Sequence, residues 1–271
     1  MNTDRSPLRP LFLAQLEEWH AKYGYTRELP ILADALGVKI QHSAQHSCML
    51  DWDPPIIMIQ VLENDRFIPP RFLFKFFHEL SHLLFLRLDG GAFQRALYRR
   101  YSTNPTGYEL VLEGMCNAGA ARLLMPDLLV KSALQVHGHS PAAVVSLSRI
   151  SGASWAAAML RLLNDKILET WGVIIRAERT HSDSAWDSRW EFSTFVGPDS
   201  RPHPVKGELF PHIHPLLEHE DHVEISLDVD GGFYTDLRPC LMAHIGNERF
   251  RRVCAFLFPD EESRALALAG G

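Results

Sequence analysis

The chain has 271 residues, 46% hydrophobic and 22% charged, which is ordinary globular composition and enough length for two domains or three small ones. Its net charge of -6 argues against a protein built chiefly to bind nucleic acid phosphates, which requires a basic surface. No apolar run reaches the roughly 18–20 residues of a membrane span. The first residues also lack the apolar stretch of a signal peptide.

Cysteine usage indicates the redox environment. The four cysteines are widely spaced and form no CxxC pair, and a chain of this size does not depend on a disulfide framework. We therefore expect a reducing, cytoplasmic setting. The cysteines are Cys48, Cys116, Cys240 and Cys254.

Two short helices and two strands are predicted at the start of the chain. PLFLAQLEEWHAKYG has apolar side chains at helical spacing and ends at Gly24, and LPILADAL ends at Gly37. The stretch VKI and residues 54–62, PPIIMIQVL, predict strands because they are rich in β-branched side chains. The first helix is expected to bury one face, which comprises Phe12, Leu16, Trp19 and Tyr23.

Two long apolar helices are predicted next. The first begins at Pro69-Pro70, because proline is tolerated in a first turn, and ends at Asp89-Gly90-Gly91. Residues 92–106, AFQRALYRRYSTNPT, are basic and aromatic and then turn-like, and are expected to form a flexible flap. Residues 107–125, GYELVLEGMCNAGAARLLM, predict the second helix, which Pro126 stops.

Residues 141–165, PAAVVSLSRISGASWAAAMLRLLND, have the sequence pattern of a helix-turn-helix, with Ser154 as the N-cap of the second helix. A helix that reads DNA displays Arg, Lys, Asn or Gln at its start. This one displays Trp155 and three alanines, so direct DNA binding is not expected. Packing, or docking of a protein partner, is the preferred interpretation.

The sequence pattern becomes β-rich after about residue 168. GVIIRA, RWEFSTFV, DHVEISLDV and RRVCAFLFP are β-rich and separated by turns, and a short helix is expected from Glu261. This pattern predicts a separate C-terminal domain of about a hundred residues. The fold class expected for the whole chain is therefore α+β with several domains.

The first long helix contains KFFHELSHLLF, in which His78 and His82 lie four positions apart. Residues at this spacing share a helix face, so both imidazoles can bind one ion while Glu79 acts as a general base. The surrounding phenylalanines and leucines predict burial, and unpaired burial of such groups costs on the order of several kcal/mol. A metal removes that cost. The alternative is a pair of core histidines hydrogen-bonded to carbonyls.

A catalytic zinc requires a third protein ligand and an open position for water. The second long helix offers two candidates, Glu109 and Glu113, one turn apart. Either can approach the first helix, and the residues alone do not choose between them.

A second group of metal-binding side chains lies in PHIHPLLEHEDH, residues 211–222. Imidazoles and carboxylates suit zinc, so a second metal site is one interpretation. The prolines and the acidic run favour the other, a solvated loop before a strand. The side chains concerned are His212, His214, His219, His222, Glu218, Glu220 and Asp221.

Residues 55–126 resemble the ImmA/IrrE metallopeptidase family. The matching features are the strand PIIMIQ, then FHELSH, then a helix reading ExxxN…A…LLMP, which begins at Glu113 and contains Asn117. The resemblance implies that His78, His82 and Glu113 bind Zn²⁺, with Mn²⁺ possible in the cell, and that Glu79 is the catalytic base. It leaves Glu109 to orient a ligand or Asn117. The segment HSCMLDWDPP, ahead of the strand, departs from the family pattern.

The length and order of segments resemble the IrrE branch of that family. This layout implies a zincin-like metallopeptidase domain at 1–126, a helix-turn-helix-like domain at 127–168 and a GAF-like sensor domain at 169–271 that responds to an unknown small-molecule signal. The resemblance also implies site-specific cleavage of an XRE-type, helix-turn-helix repressor, which induces a DNA-damage, radiation or stress response. The alternative is a non-proteolytic, metal-containing regulator that binds a repressor or the transcription machinery.

Overall fold

The computed structural model describes residues 8–61, 69–138, 140–164, 171–178, 191–196, 225–229, 233–243 and 250–257. The chain divides into two compact units. One comprises Met1–Leu128 with Ser151–Ala153, and the other comprises Leu129–Ile150 with Ser154–Gly271. The domain boundaries at residues 126 and 168 stay a prediction.

The first unit is mostly helical and contains one small sheet, as the predicted α+β class requires. Its helices are α1 (Leu8–Lys22), α2 (Leu29–Leu36), α3 (Pro69–Arg87), α4 (Ala92–Tyr101) and α5 (Pro105–Leu124). Its strands are β1 (Lys39–Ser43), β2 (Cys48–Leu50) and β3 (Ile56–Gln60).

Glycines end the first two helices as predicted. Gly24 follows α1 and Gly37 follows α2, and both have a φ of 63°, the left-handed conformation that favours glycine. The predicted buried face of α1 is confirmed for its three most buried members, Phe12, Leu16 and Trp19.

The small sheet has the order β1-β3-β2, with β1 parallel and β2 antiparallel to β3. The central strand β3 buries Ile56, Ile57 and Ile59, which confirms the prediction of a core strand. The edge strand β2 was not predicted, and it lies inside the HSCMLDWDPP segment.

The core of the first unit is built on α3, which packs against α5 and against β2 and β3. Phe12 of α1 contacts Phe85 edge-on, with ring centroids 5.4 Å apart, and contacts Phe93 at 5.6 Å. The apolar side chains of α3 that are fully buried are Phe76, Phe77, Leu80, Leu83, Leu84 and Phe85.

The prediction of a flexible flap at residues 92–106 is wrong for most of that segment. Residues Ala92–Tyr101 form α4, because Phe93 and Leu97 lie four positions apart and both insert into the core. The turn that follows ends at Asn104, whose Oδ1 accepts a 2.9 Å hydrogen bond from the Gly107 N–H and so caps α5.

Three further helices follow α5, namely α6 (Asp127–His137), α7 (Pro141–Ser151) and α8 (Trp155–Asn164). The axes of α7 and α8 differ by 120° across a three-residue turn in which Gly152 has a φ of 74°. Ser154 caps α8 as predicted, since its Oγ accepts a 3.1 Å hydrogen bond from the Ala157 N–H. Among the described helices, none is long and apolar enough by itself to cross a membrane, and α7 with α8 reaches that length and composition only as a bent pair.

The last strands form an antiparallel sheet of order β5-β4-β8-β7-β6. They are β4 (Trp171–Glu178), β5 (Glu191–Val196), β6 (Ile225–Val229), β7 (Phe233–Ala243) and β8 (Phe250–Leu257). The four predicted strands are present, and β7 was not predicted. The histidine-rich loop at 211–222 and the helix expected from Glu261 lie outside the described residues.

Candidate metal centre

The helix α3 presents His78 and His82 on one face, one turn apart, as their spacing predicts. Their Nε2 atoms are 3.1 Å apart. Both side chains are 16% exposed, so the two imidazoles lie at the edge of the core rather than on the open surface.

The helix α5 brings Glu113 to this pair. One carboxylate oxygen, Oε2, is 3.3 Å from His78 Nε2, and the other, Oε1, is 3.2 Å from His82 Nε2. Of the two glutamates that the sequence left open, Glu113 is therefore the one that meets the histidines. Within the described residues, His78, His82 and Glu113 form the group of His, Cys, Asp and Glu side chains that can hold a metal ion.

These distances fit a tetrahedral ion. With bonds of about 2.0–2.1 Å, tetrahedral zinc holds neighbouring ligand atoms about 3.3 Å apart. The three separations, between 3.1 and 3.3 Å, agree with that value. Two imidazoles and one carboxylate also form the donor set of known catalytic zinc sites, which leave a fourth position for water.

Glu79 lies beside these three candidate ligands and is almost fully buried, with 7% of its surface exposed. Burial raises the pKa of Glu79 to about 7, and the Glu113 carboxylate adds to the rise. A hydrogen bond from the Met49 backbone opposes it. A carboxyl group whose pKa lies near neutrality is suited to accept and return a proton.

The protonation of His82 also suits a ligand. Burial lowers its pKa, the His78 imidazole lowers it further, and the Glu113 carboxylate partly opposes both effects. The neutral imidazole, whose ring nitrogen can bind a metal, is therefore favoured over the imidazolium.

The strand β2 is a part of the site that the sequence analysis missed. Met49 supplies the backbone hydrogen bond to Glu79, and the negative charge of Glu79 adds to the rise that burial produces in the pKa of the Cys48 thiol. The only signal in the sequence is three apolar residues, CML, between polar neighbours, which is too short to predict a strand.

Two other candidates on α5 lie near the site without joining the metal-binding group. Glu109 is exposed, one turn before Glu113, and its predicted role in orienting a ligand or Asn117 stays a prediction. Cys116 is fully buried, and burial raises the pKa of its thiol well above the ordinary value, with the Glu113 and Glu79 carboxylates adding to the rise. The protonated thiol is a poor metal ligand.

Comparison with known proteins supports a relationship to the ImmA/IrrE-like family. The chain is 30% identical over 155 residues to the radiation response metalloprotease IrrE of Deinococcus deserti. The match covers 55% of this chain and 52% of that protein, so it spans about half the length of the relative. No protein-family model matches the chain.

A solved structure shares the fold at low sequence identity. The Mycobacterium tuberculosis protein described as a transcriptional regulator aligns with a TM-score of 0.52 and 10% identity. The alignment covers 91% of this chain and 87% of that one. At this identity the likeness concerns the fold alone.

Proposed function

We propose that this chain is a regulatory zinc metallopeptidase that cleaves an XRE-type, helix-turn-helix repressor at a specific site and thereby induces a DNA-damage, radiation or stress response. The observation that carries the proposal is the convergence of His78, His82 and Glu113 next to the buried carboxyl group of Glu79. A structural zinc site would not need a further residue, such as Glu79, whose carboxyl group does not bind the metal and whose pKa lies near neutrality.

In this proposal His78, His82 and Glu113 would hold the zinc ion, which would supply the Lewis acidity that polarises a peptide carbonyl and makes water more acidic. Glu79 accepts a proton from the attacking water at its carboxylate oxygen as the water oxygen adds to the carbonyl carbon. Glu79 then delivers that proton to the amine nitrogen as the carbon–nitrogen bond breaks. The surrounding phenylalanines and leucines of α3 limit access of other water molecules to this proton.

The proposed role in a radiation response rests on the similarity to the radiation response metalloprotease. The choice of an XRE-type repressor as the substrate rests on the resemblance of the sequence motifs to the ImmA/IrrE family. We also propose that the C-terminal segment is a GAF-like sensor for a small-molecule signal, and that the α7–α8 pair packs against or docks a protein rather than DNA. The five-stranded antiparallel sheet supports the α+β character implied for the sensor. The half-buried Trp155, Ala156 and Ala157 at the start of α8 support the second proposal.

The experiment is coexpression of the chain with the XRE-type regulator encoded nearest its gene. We expect the regulator to be cut at one bond, and the cut to disappear when the cells are depleted of zinc and manganese. Metal analysis of the purified protein identifies the ion. Intact regulator together with a metal-loaded chain would favour the non-proteolytic alternative.

Glu79→Gln is the matched control because it preserves the size of the side chain and an oxygen that can accept the Met49 hydrogen bond, and it removes the proton acceptor. We expect this variant to bind the metal and the regulator while cleavage falls by roughly 10²–10⁴-fold, the usual contribution of general acid–base catalysis. Cleavage at the wild-type rate would contradict the proposed mechanism.

A further inference from the structure

The helices α3 and α5 lie close together at Gly119 and Ser81. A methyl group added at Gly119 would lie 2.7 Å from Ser81 Oγ, 3.1 Å from Ser81 Cβ and 3.2 Å from Leu16 Cδ1. Gly119 lies inside a regular helix, so the backbone conformation does not require glycine there. Glycine in a helix interior is less stable than alanine. The absence of a side chain at Gly119 therefore permits the close approach of α5 to α3.

Ser81 cannot move aside easily. It is fully buried, and its Oγ donates a 2.7 Å hydrogen bond to the Phe77 carbonyl one turn earlier on α3. Rotating the hydroxyl group away would break this bond and would still leave Cβ at 3.1 Å. The methyl group of Leu16 is the end of a flexible side chain and can shift. The contact with Ser81 is therefore the one that a side-chain movement cannot relieve.

Ser81 and Gly119 are also close to the ligands along their helices. Ser81 directly precedes His82, and Gly119 lies six residues, or about 9 Å of helix, after Glu113. Relieving the 2.7 Å contact to an ordinary 3.4 Å needs a displacement of about 0.7 Å. Metal–ligand distances vary by only about 0.2 Å, so a helix displacement of this size would not leave the ligand set intact.

We propose that Gly119 is a positioning residue for the metal centre: its missing side chain lets α5 contact Ser81 of α3, and this contact sets the distance between Glu113 and the two histidines. The inference rests on the proposed function only in that it requires a metal at this site. It adds to that function a determinant of metal affinity that touches neither the metal nor a substrate.

The test measures zinc affinity of the full chain by competition with a chromophoric chelator. We expect Gly119→Ala to bind zinc about tenfold or more weakly than the wild type, a loss of the size seen when groups that support metal ligands are changed. Gly114→Ala is the matched control, because it makes the same substitution in the same helix at an exposed glycine with nothing within 4 Å of the added methyl group. Its zinc affinity should stay within about twofold of the wild type.

A double variant identifies Ser81 as the partner. Ser81→Ala in the Gly119→Ala background removes the 2.7 Å contact and keeps the 3.1 Å contact, so zinc affinity should recover partly. Thermal unfolding of the metal-free variants is recorded separately. It shows whether the loss of zinc affinity exceeds what a loss of folding stability would produce. The double variant also serves if Gly119→Ala alone does not fold, because it relieves the worst contact, and its affinity should then lie below that of the wild type.

The outcomes separate this inference from the proposed function. A wild-type chain that binds no zinc contradicts the proposed function. A wild-type chain that binds zinc overturns the positioning role alone if Gly119→Ala binds zinc equally well or, where Gly119→Ala does not fold, if the double variant does. A double variant that binds more weakly than Gly119→Ala also overturns it.

Discussion

The two helices that form the candidate metal centre, α3 and α5, differ in how they contact solvent. Around His78 and His82, α3 is buried on most of its circumference, and both imidazoles are 16% exposed. In contrast, α5 keeps one open face, and the Glu113 side chain on it is 54% exposed. Two of the candidate ligands and the candidate base thus lie on a helix that is mostly buried, while the third candidate ligand comes from the side that water and a substrate can reach. The exposed residues of that face are Glu109, Leu110, Glu113, Gly114 and Asn117.

The difference in burial between α3 and α5 is tested most strongly by removing one candidate ligand from each helix. Structural zinc sites bind with about 10–16 kcal/mol shared among four ligands, so each ligand accounts for about 3 kcal/mol, or more than a hundredfold in affinity. We expect both His82→Ala and Glu113→Ala to lose at least this much, and His82→Ala to lose more. Water can replace an exposed carboxylate more readily than a half-buried imidazole. Zinc affinity measured by chelator competition decides the order, and a larger loss for Glu113→Ala would contradict the comparison.

The same substitution in the two helices should have different effects on stability. Leu80 of α3 is 1% exposed and Leu110 of α5 is 69% exposed. Leu80→Ala should lower the free energy of unfolding by about 2–5 kcal/mol, because it opens a cavity in the core. Leu110→Ala should change it by less than about 0.5 kcal/mol. Urea unfolding of the metal-free proteins measures both values, and similar losses would show that α5 is more buried than described.

Burial of Glu79 on α3 should make the stability of the metal-free protein depend on pH. The folded state raises its pKa from 4.5 to about 7, so folding favours the protonated carboxyl group. This contribution is complete below about pH 4.5 and is lost as the pH rises to about 7. At about 1.4 kcal/mol per pKa unit, the loss amounts to about 3 kcal/mol.

Glu79→Gln isolates that effect because glutamine does not ionise. We expect the variant to gain stability relative to the wild type as the pH rises from about 5 to about 8, by up to about 3 kcal/mol. Titrating groups that do not interact with Glu79 are common to both proteins and cancel in the difference. The measurement is urea unfolding in the presence of a chelator, and a difference that does not change with pH would contradict the burial of this carboxyl group.

The smallest expected effect concerns the start of α5. Asn104→Ala removes the acceptor of the Gly107 N–H and should lower the free energy of unfolding by about 1 kcal/mol. Zinc affinity should not change, because Glu113 lies about two and a half turns further along the helix. Asn104→Asp retains the acceptor and should restore stability. Loss of zinc affinity in Asn104→Ala would mean that the position of Glu113 depends on the first turn of α5.

Local signals in the sequence predicted most of the helices and strands and the α3 half of the site. Gly24 and Gly37 ended helices because only a left-handed residue closes those turns at low cost. The four-residue spacing placed His78 and His82 on one face. These predictions needed only the backbone geometry of a single helix.

The remaining features depend on packing between elements. Glu109 and Glu113 are alternatives within α5, and only the crossing of α5 over α3 distinguishes them. The segment at 92–101 is basic, and Phe93 and Leu97 make it helical by burying their side chains in the core. Pro239 lies inside β7, where it pairs with Ala255 of β8, and a proline inside a run argues against a strand when the sequence is considered alone.

The positions of His82 and Glu113 in the chain would also make the stability of the fold depend on the supply of metal. His82 and Glu113 are 31 positions apart, so an ion bound by both cross-links two helices that are distant in the chain. Binding to the folded chain alone adds stability that grows with the logarithm of the free metal concentration, about 2.7 kcal/mol at a hundred times the dissociation constant. The amount of intact protein in the cell would then follow the availability of metal, because unfolded chains are degraded.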